Sequence, residues 1–235
     1  MTPRNRAQSA PVGVAILLAV TVVSMSALTV AVGSVVEEGA SEAEARGAAA
    51  SMDAALDAER YGPHEHTLSL HEGRLRTVER SVRVLVGNRI AFERAAGGLV
   101  FAAGDRRVRH VGGATVRGTG TGAVFHAPPS LAVRNGTLFL DVSTLDAPAV
   151  AVAGPGTVTL RTNVTHDRRH LTGGGYAVAV ETRTPAVWER WFADVGATTT
   201  RRSLDDDDVP SVVARFPDAR DAYVFVHDLH LEVGR

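Results

Sequence analysis

The feature that most constrains this chain is a charge-free stretch near its start. No charged residue occurs from position 7 to position 36, and Ala10–Val36 (APVGVAILLAVTVVSMSALTVAVGSVV) has 19 apolar residues out of 27. At about 1.5 Å per residue, a helix of that length exceeds a hydrocarbon core of about 30 Å. Arg4 and Arg6 precede the run, and Glu37, Glu38, Glu42 and Glu44 follow it before Arg46. Basic flanks stay in the cytoplasm, which predicts a single-pass membrane protein with a cytoplasmic N-terminus and an extracellular remainder. In this reading residues 1–7 are a basic leader and residues 8–36 a transmembrane helix in contact with the lipid bilayer. A cleaved secretory signal is the alternative, although signal cores run to only about 7–15 apolar residues.

The string Arg6-Ala7-Gln8-Ser9-Ala10-Pro11-Val12-Gly13-Val14, running into ILLAVTVV, resembles the start of haloarchaeal type IV pilins and pilin-like proteins. The resemblance implies that a prepilin peptidase removes the basic leader between Ala7 and Gln8. It further implies that the helix survives as an anchor or filament core that packs against other pilin-like subunits. Ser-Ala-Pro-Val-Gly stands here where the commoner pattern is Ser-Pro-Val-Ile-Gly. The segments APPSLAVRNGTLFLDV and AVWERWF also resemble a group of haloarchaeal pilin-like membrane proteins with no assigned activity. That wider likeness implies a location and no reaction.

Past the apolar run the composition changes. Residues 37–60 are rich in alanine, glutamate and arginine and predict a helical stalk, ended by Tyr61-Gly62-Pro63. From His64 the period becomes 2. Ser81–Val86, Leu99–Phe101, Leu131–Arg134, Thr137–Val142, Val150–Val152, Thr157–Asn163, Tyr176–Thr182, Ser211–Phe216 and Tyr223–Val233 read as strands. Asn135-Gly136 between two of them is the strongest short hairpin signal. One helix interrupts the strands, with Thr184 as cap, Pro185 in the first turn and Val187, Trp188, Trp191 and Phe192 as an apolar stripe. The predicted fold class is α+β: a long N-terminal transmembrane helix and stalk, then a mainly antiparallel, β-sandwich-like external domain over residues 64–235 with one packed helix.

Composition narrows the chemistry. All 25 basic residues are arginine, and there is no cysteine. That excludes disulfide frameworks, zinc fingers, iron–sulfur sites and thiol nucleophiles. A formal net charge of −1 argues against a nucleic-acid partner. The loop Gly118–Gly122 lacks the following helix and the lysine that a phosphate loop uses.

His64 and His66 share one face of a strand at ligand spacing, with His71 nearby, but they read first as surface histidines. His166 and His170 fall in an expected loop, and His227 and His230 on opposite strand faces. Asp205 to Asp208 lacks the spacing of a calcium loop and reads as a solvated acidic run. No hydrolase motif occurs, and no catalytic residue, metal site or cofactor is expected. Asn135-Gly-Thr137 and Asn163-Val-Thr165 match the N-glycosylation sequon, Asn135 serving equally as a hairpin turn and Asn163 being expected in a polar loop. These observations predict a membrane-anchored, pilin-like cell-surface structural or interaction protein without catalytic activity. A signal-anchored ligand- or glycan-binding module is the alternative, and an anchored enzyme comes third.

Overall fold

A computed structural model describes residues 9–205 and 207–235. The chain begins with α1 (Ser9–Ala55). There follow β1 (Gly62–Leu70), β2 (Arg74–Val78), β3 (Ser81–Val86), β4 (Arg89–Ala95), β5 (Gly98–Ala103), β6 (Arg106–Val111) and β7 (Ala114–Arg117). A 3-10 turn (Gly120–Gly122) leads into β8 (Val124–Ala127), β9 (Leu131–Arg134), β10 (Thr137–Thr144), β11 (Ala151–Ala153), β12 (Gly156–Thr172) and β13 (Tyr176–Glu181). The chain ends with α2 (Pro185–Asp194), β14 (Thr198–Arg202), β15 (Ser211–Phe216), β16 (Asp221–Asp228) and β17 (Glu232–Gly234). It divides into two compact units, Met1–Glu42 and Ala43–Arg235.

In the first unit α1 is helical throughout its described residues. Thr21, Ser26 and Thr29 return their hydroxyls to the carbonyls of Leu17, Val22 and Met25. Among the described residues no helix is long and apolar enough to cross a membrane. The transmembrane reading of residues 8–36 is therefore corrected, and with it the bilayer anchoring and the single-pass placement with an extracellular domain. Glycine, serine and threonine take seven of the 27 positions from Ala10 to Val36, so the run is diluted along its whole length.

The second unit opens with the end of α1. Ala45, Ala48, Ala49, Met52, Ala55 and Leu56 recur at helical spacing and are buried. They share one core with Leu68 and Leu70 of β1, Leu75 of β2, Leu99 and Phe101 of β5, and Leu160 of β12. The helix end is also fastened by charge, because the Glu44 carboxylate accepts the backbone N–H groups of His71 (2.7 Å) and Gly73 (3.1 Å) in the turn after β1. Gly73 has no space for a side chain there, since a Cβ would lie 2.3 Å from the Phe101 ring.

Among the described residues the strands form three sheets. One runs β1-β12-β16-β10-β9 with β17 also on β12; the second is β11-β2-β5-β6-β7-β8; the third is β14-β15-β13-β3-β4. Pairing is antiparallel except between β10 and β16. The largest core joins Leu138 and Val142 of β10 and Val224 of β16 to Val84, Val178 and Val212 of the third sheet. Val187, Trp188 and Phe192 of α2 are buried in the same core.

Turn chemistry follows the sequence. Asn135 (φ 51°) and Gly136 (φ 75°) join β9 to β10 with Arg134 opposite Thr137, the two-residue turn with both central φ positive that Asn-Gly favours. Thr184 precedes α2 without a side-chain cap bond, its backbone N–H donating instead to the Thr182 hydroxyl.

Candidate functional site

β12 is the element that departs most from the sequence reading. It continues for 17 residues, so His166 and His170 lie in a strand and not in a loop. Its first half pairs with β1 and its second half with β16. Arg161–Arg169 carries alternating or continuous polar residues, so no hydrophobic period reveals a strand. Hydrogen bonding to two partners forms it instead.

This extension completes a three-by-three lattice on the polar face of β10, β16 and β12. The registers place Phe139 beside Tyr223 and Tyr223 beside His170. Asp141 lies beside Phe225, which lies beside Arg168, and Ser143 beside His227, which lies beside His166. The opposite face carries Leu138, Leu140, Val142, Ala222, Val224 and Val226 into the core, as the two-residue period requires.

The Phe139 and Tyr223 rings stack at 5.8 Å and the Tyr223 and His170 rings at 4.6 Å, with the Arg168 guanidinium 5.9 Å from the Tyr223 ring. At the other end of the lattice the His166 and His227 Nδ1 atoms are 2.7 Å apart, so one ring donates and the other accepts. His227 Nε2 lies 4.0 Å from Asp141. Burial pushes the Asp141 carboxyl upward, but His227 and Ser130 outweigh it and hold it below the usual carboxylate range. Asp228, the next residue, accepts a hydrogen bond from the Thr144 hydroxyl. Such a face can exchange protons and stack planar groups. Among the described residues no serine or threonine hydroxyl bonds to either histidine.

The other singled-out residues are dispersed. His64 and His66 are half-buried on one face of β1, and Glu65 is paired with Arg161 at 2.8 Å. His71 lies in the turn held by Glu44, while His230, outside β16, has a φ of 40° and faces Asp146 at 3.4 Å. Among the described residues no group of three or more metal-ligating side chains occurs.

The acidic run is not uniformly solvated. Asp205 receives both terminal nitrogens of Arg83 at 2.6 and 3.0 Å, while Arg83 Nε donates to Glu93 at 2.7 Å. The Arg83 side chain is only 4% exposed. Asp207 accepts the Val209 N–H. Asp206 lies outside the described residues, as do Ala7 and Gln8 of the expected leader cleavage. Asn135 and Asn163 are both exposed, Asn163 within β12 and not in the expected polar loop.

Sequence reading missed the main concentration of positive charge. Arg74, Arg76, Arg80, Arg107, Arg109 and Arg183 line a single cavity of about 310 Å³. Its signal was the alternation Arg74-Leu75-Arg76 and Arg107-Val108-Arg109, which puts both arginines of each strand on one face.

A family profile matches the chain over residues 6–232. The chain belongs to DUF7289, a family of unknown function. The match spans both units, from the charge-free helix to β17. No curated protein and no solved structure matches the chain.

Proposed function

We propose that this DUF7289 protein is a non-catalytic structural and interaction protein with a pilin-like plan, whose α1 helix assembles with other copies of itself. The observation that carries this reading is the apolar surface of α1. Leu17, Val23, Met25 and Val35 are each 67–68% exposed in a segment without a charge. Apolar surface of that extent is unfavourable in water, and covering a Val or Leu side chain contributes about 1.5–3 kcal/mol. A second copy fits because the segment offers no charge to repel its own image, and Ala19, Ser24, Ala27 and Thr29 permit close helix approach. The resemblance to pilins, whose corresponding helix forms a filament core, supports the same reading. It also predicts a prepilin peptidase as partner and Gln8 as the mature N-terminus, which intact-mass measurement of the native protein checks.

The absence of native cysteine provides a direct test. Single cysteines placed from Leu17 to Leu28 should form disulfide-linked dimers under mild oxidation, with yields that rise and fall at helical spacing. A flat, low yield at every position counts against helix-mediated assembly.

A second reading, a ligand-binding module, is favoured by the Phe139–Tyr223–His170 stack. Its rings present planar surface on which a sugar or aromatic face can lie, with Asp141 and Arg168 beside it. Loss of oligosaccharide retention in Tyr223→Ala would support it.

A further inference from the structure

We propose that the arginine-lined cavity on the second sheet is a binding site for a small, multiply charged oxyanion bearing phosphoryl or sulfuryl groups. Its floor is written into the strand register. Arg76 pairs across Val100 with Arg109, and Arg74 pairs across Ala102 with Arg107, so β5 places small apolar residues between two rows of arginines. Two strand spacings separate the rows by about 10 Å, and members of a row are about 7 Å apart. Arg80, Thr182 and Arg183 complete the lining.

The charge inside is largely uncompensated. Glu181 bonds Arg80 at 3.2 Å and the Ser81 N–H at 2.9 Å, and Asp207 is the other acid that acts on Arg80. Arg107 donates to the carbonyls of Gly104 and Arg106, and Arg109 to that of Gly118, all of them neutral acceptors. Among the described residues Arg74, Arg76 and Arg183 have no ion pair or side-chain hydrogen bond. Burial lowers the pKa of Arg109, and repulsion from Arg107, Arg76, Arg80 and Arg183 lowers it further.

Like charges facing each other across β5 repel, and an anion placed among them reverses the sign of that interaction. A tetrahedral oxyanion presents oxygens toward both rows and accepts paired N–H donors from each guanidinium. The cavity volume is at the lower end for ligand sites, which suits a compact anion. A net charge of −1 gives the chain no long-range attraction for a polyanionic polymer, so recognition is local to this groove.

The test is thermal unfolding of the full chain with sodium tripolyphosphate, sodium sulfate, citrate and sodium chloride at matched ionic strength. Tripolyphosphate or sulfate should raise the midpoint saturably beyond chloride and citrate, and the stronger of the two assigns a phosphoryl or a sulfuryl ligand. Arg76→Gln with Arg109→Gln should unfold no earlier than the parent in chloride. Its half-saturating concentration should rise about 100-fold, each lost charged contact being worth about tenfold. Arg74→Gln with Arg183→Gln, both exposed positions, should weaken binding in the same direction and carries the test if the first pair fails to fold. The proposal is overturned if chloride or citrate shifts the midpoint as much, or if a folded double variant retains the parent's half-saturation.

Discussion

His110 makes the stability of the β-rich unit depend on pH in a calculable way. It lies in β6 with Nδ1 3.0 Å from the Thr115 hydroxyl, and Nε2 is buried without a partner. Complete burial penalises the imidazolium and pushes the pKa down to about 4. An unfolded histidine titrates near 6.5. Between those values the unfolded chain binds a proton that the folded chain refuses, so stability falls as pH falls from about 6.5 to about 4. At ~1.4 kcal/mol per unit, the loss reaches about 3 kcal/mol, a large share of the ~5–15 kcal/mol that holds a typical domain.

Urea denaturation of the parent and of His110→Gln, from pH 7.5 to pH 4, isolates this contribution. Glu181, whose carboxyl is raised by burial against the pull of Arg80, opposes the trend, because protonating it favours the folded state. Asp141 and Glu189, both held low, lose their contributions only near and below their ordinary values. The glutamine variant retains all three groups, so they cancel in the comparison. The parent should lose about 3 kcal/mol more than the variant over this range. Parallel pH profiles for the two proteins would refute the reasoning.

Three further outcomes follow from the packing. Glu44→Ala removes the acceptor of the His71 and Gly73 N–H groups and should cost about 1–3 kcal/mol in denaturant unfolding. Asp205→Asn leaves Arg83 buried with Glu93 as its remaining carboxylate. It should cost about 1–3 kcal/mol by the same assay, discounted because Asp205 is 33% exposed. Trp188→Ala opens a cavity where α2 meets the sheets and should cost about 3–5 kcal/mol, read as a lower thermal midpoint.

The parts of this molecule that were legible in the sequence are those fixed by local chemistry. Asn135-Gly136 demands a turn with two positive φ values, and Pro185 with an apolar stripe demands a short packed helix. Both occur at those positions. The second half of β12 was hidden because its side chains are polar on both faces, and its strand character comes from pairing with β16. The lattice of Phe139, Tyr223, His170, Asp141, His227 and His166 depends on that pairing and on the parallel β10–β16 register, neither of which leaves a local signal. The arginine groove was partly visible as two Arg-x-Arg alternations, but β5 had to lie between β2 and β6 to bring them together. The charge-free run shows its length and lack of charge in the sequence, whereas the step from there to a membrane span is not supported. The acidic run was under-read, since its partner Arg83 lies about 120 residues earlier.

Self-association through α1 is the central claim, and sedimentation of the full chain over a range of concentrations tests it most directly. The parent should show a concentration-dependent rise in mass above 24.7 kDa, and Leu18→Arg with Val22→Arg should abolish it while leaving β-sheet circular dichroism unchanged. A parent that sediments as a monomer at every concentration, or a variant that associates as strongly, would contradict the account.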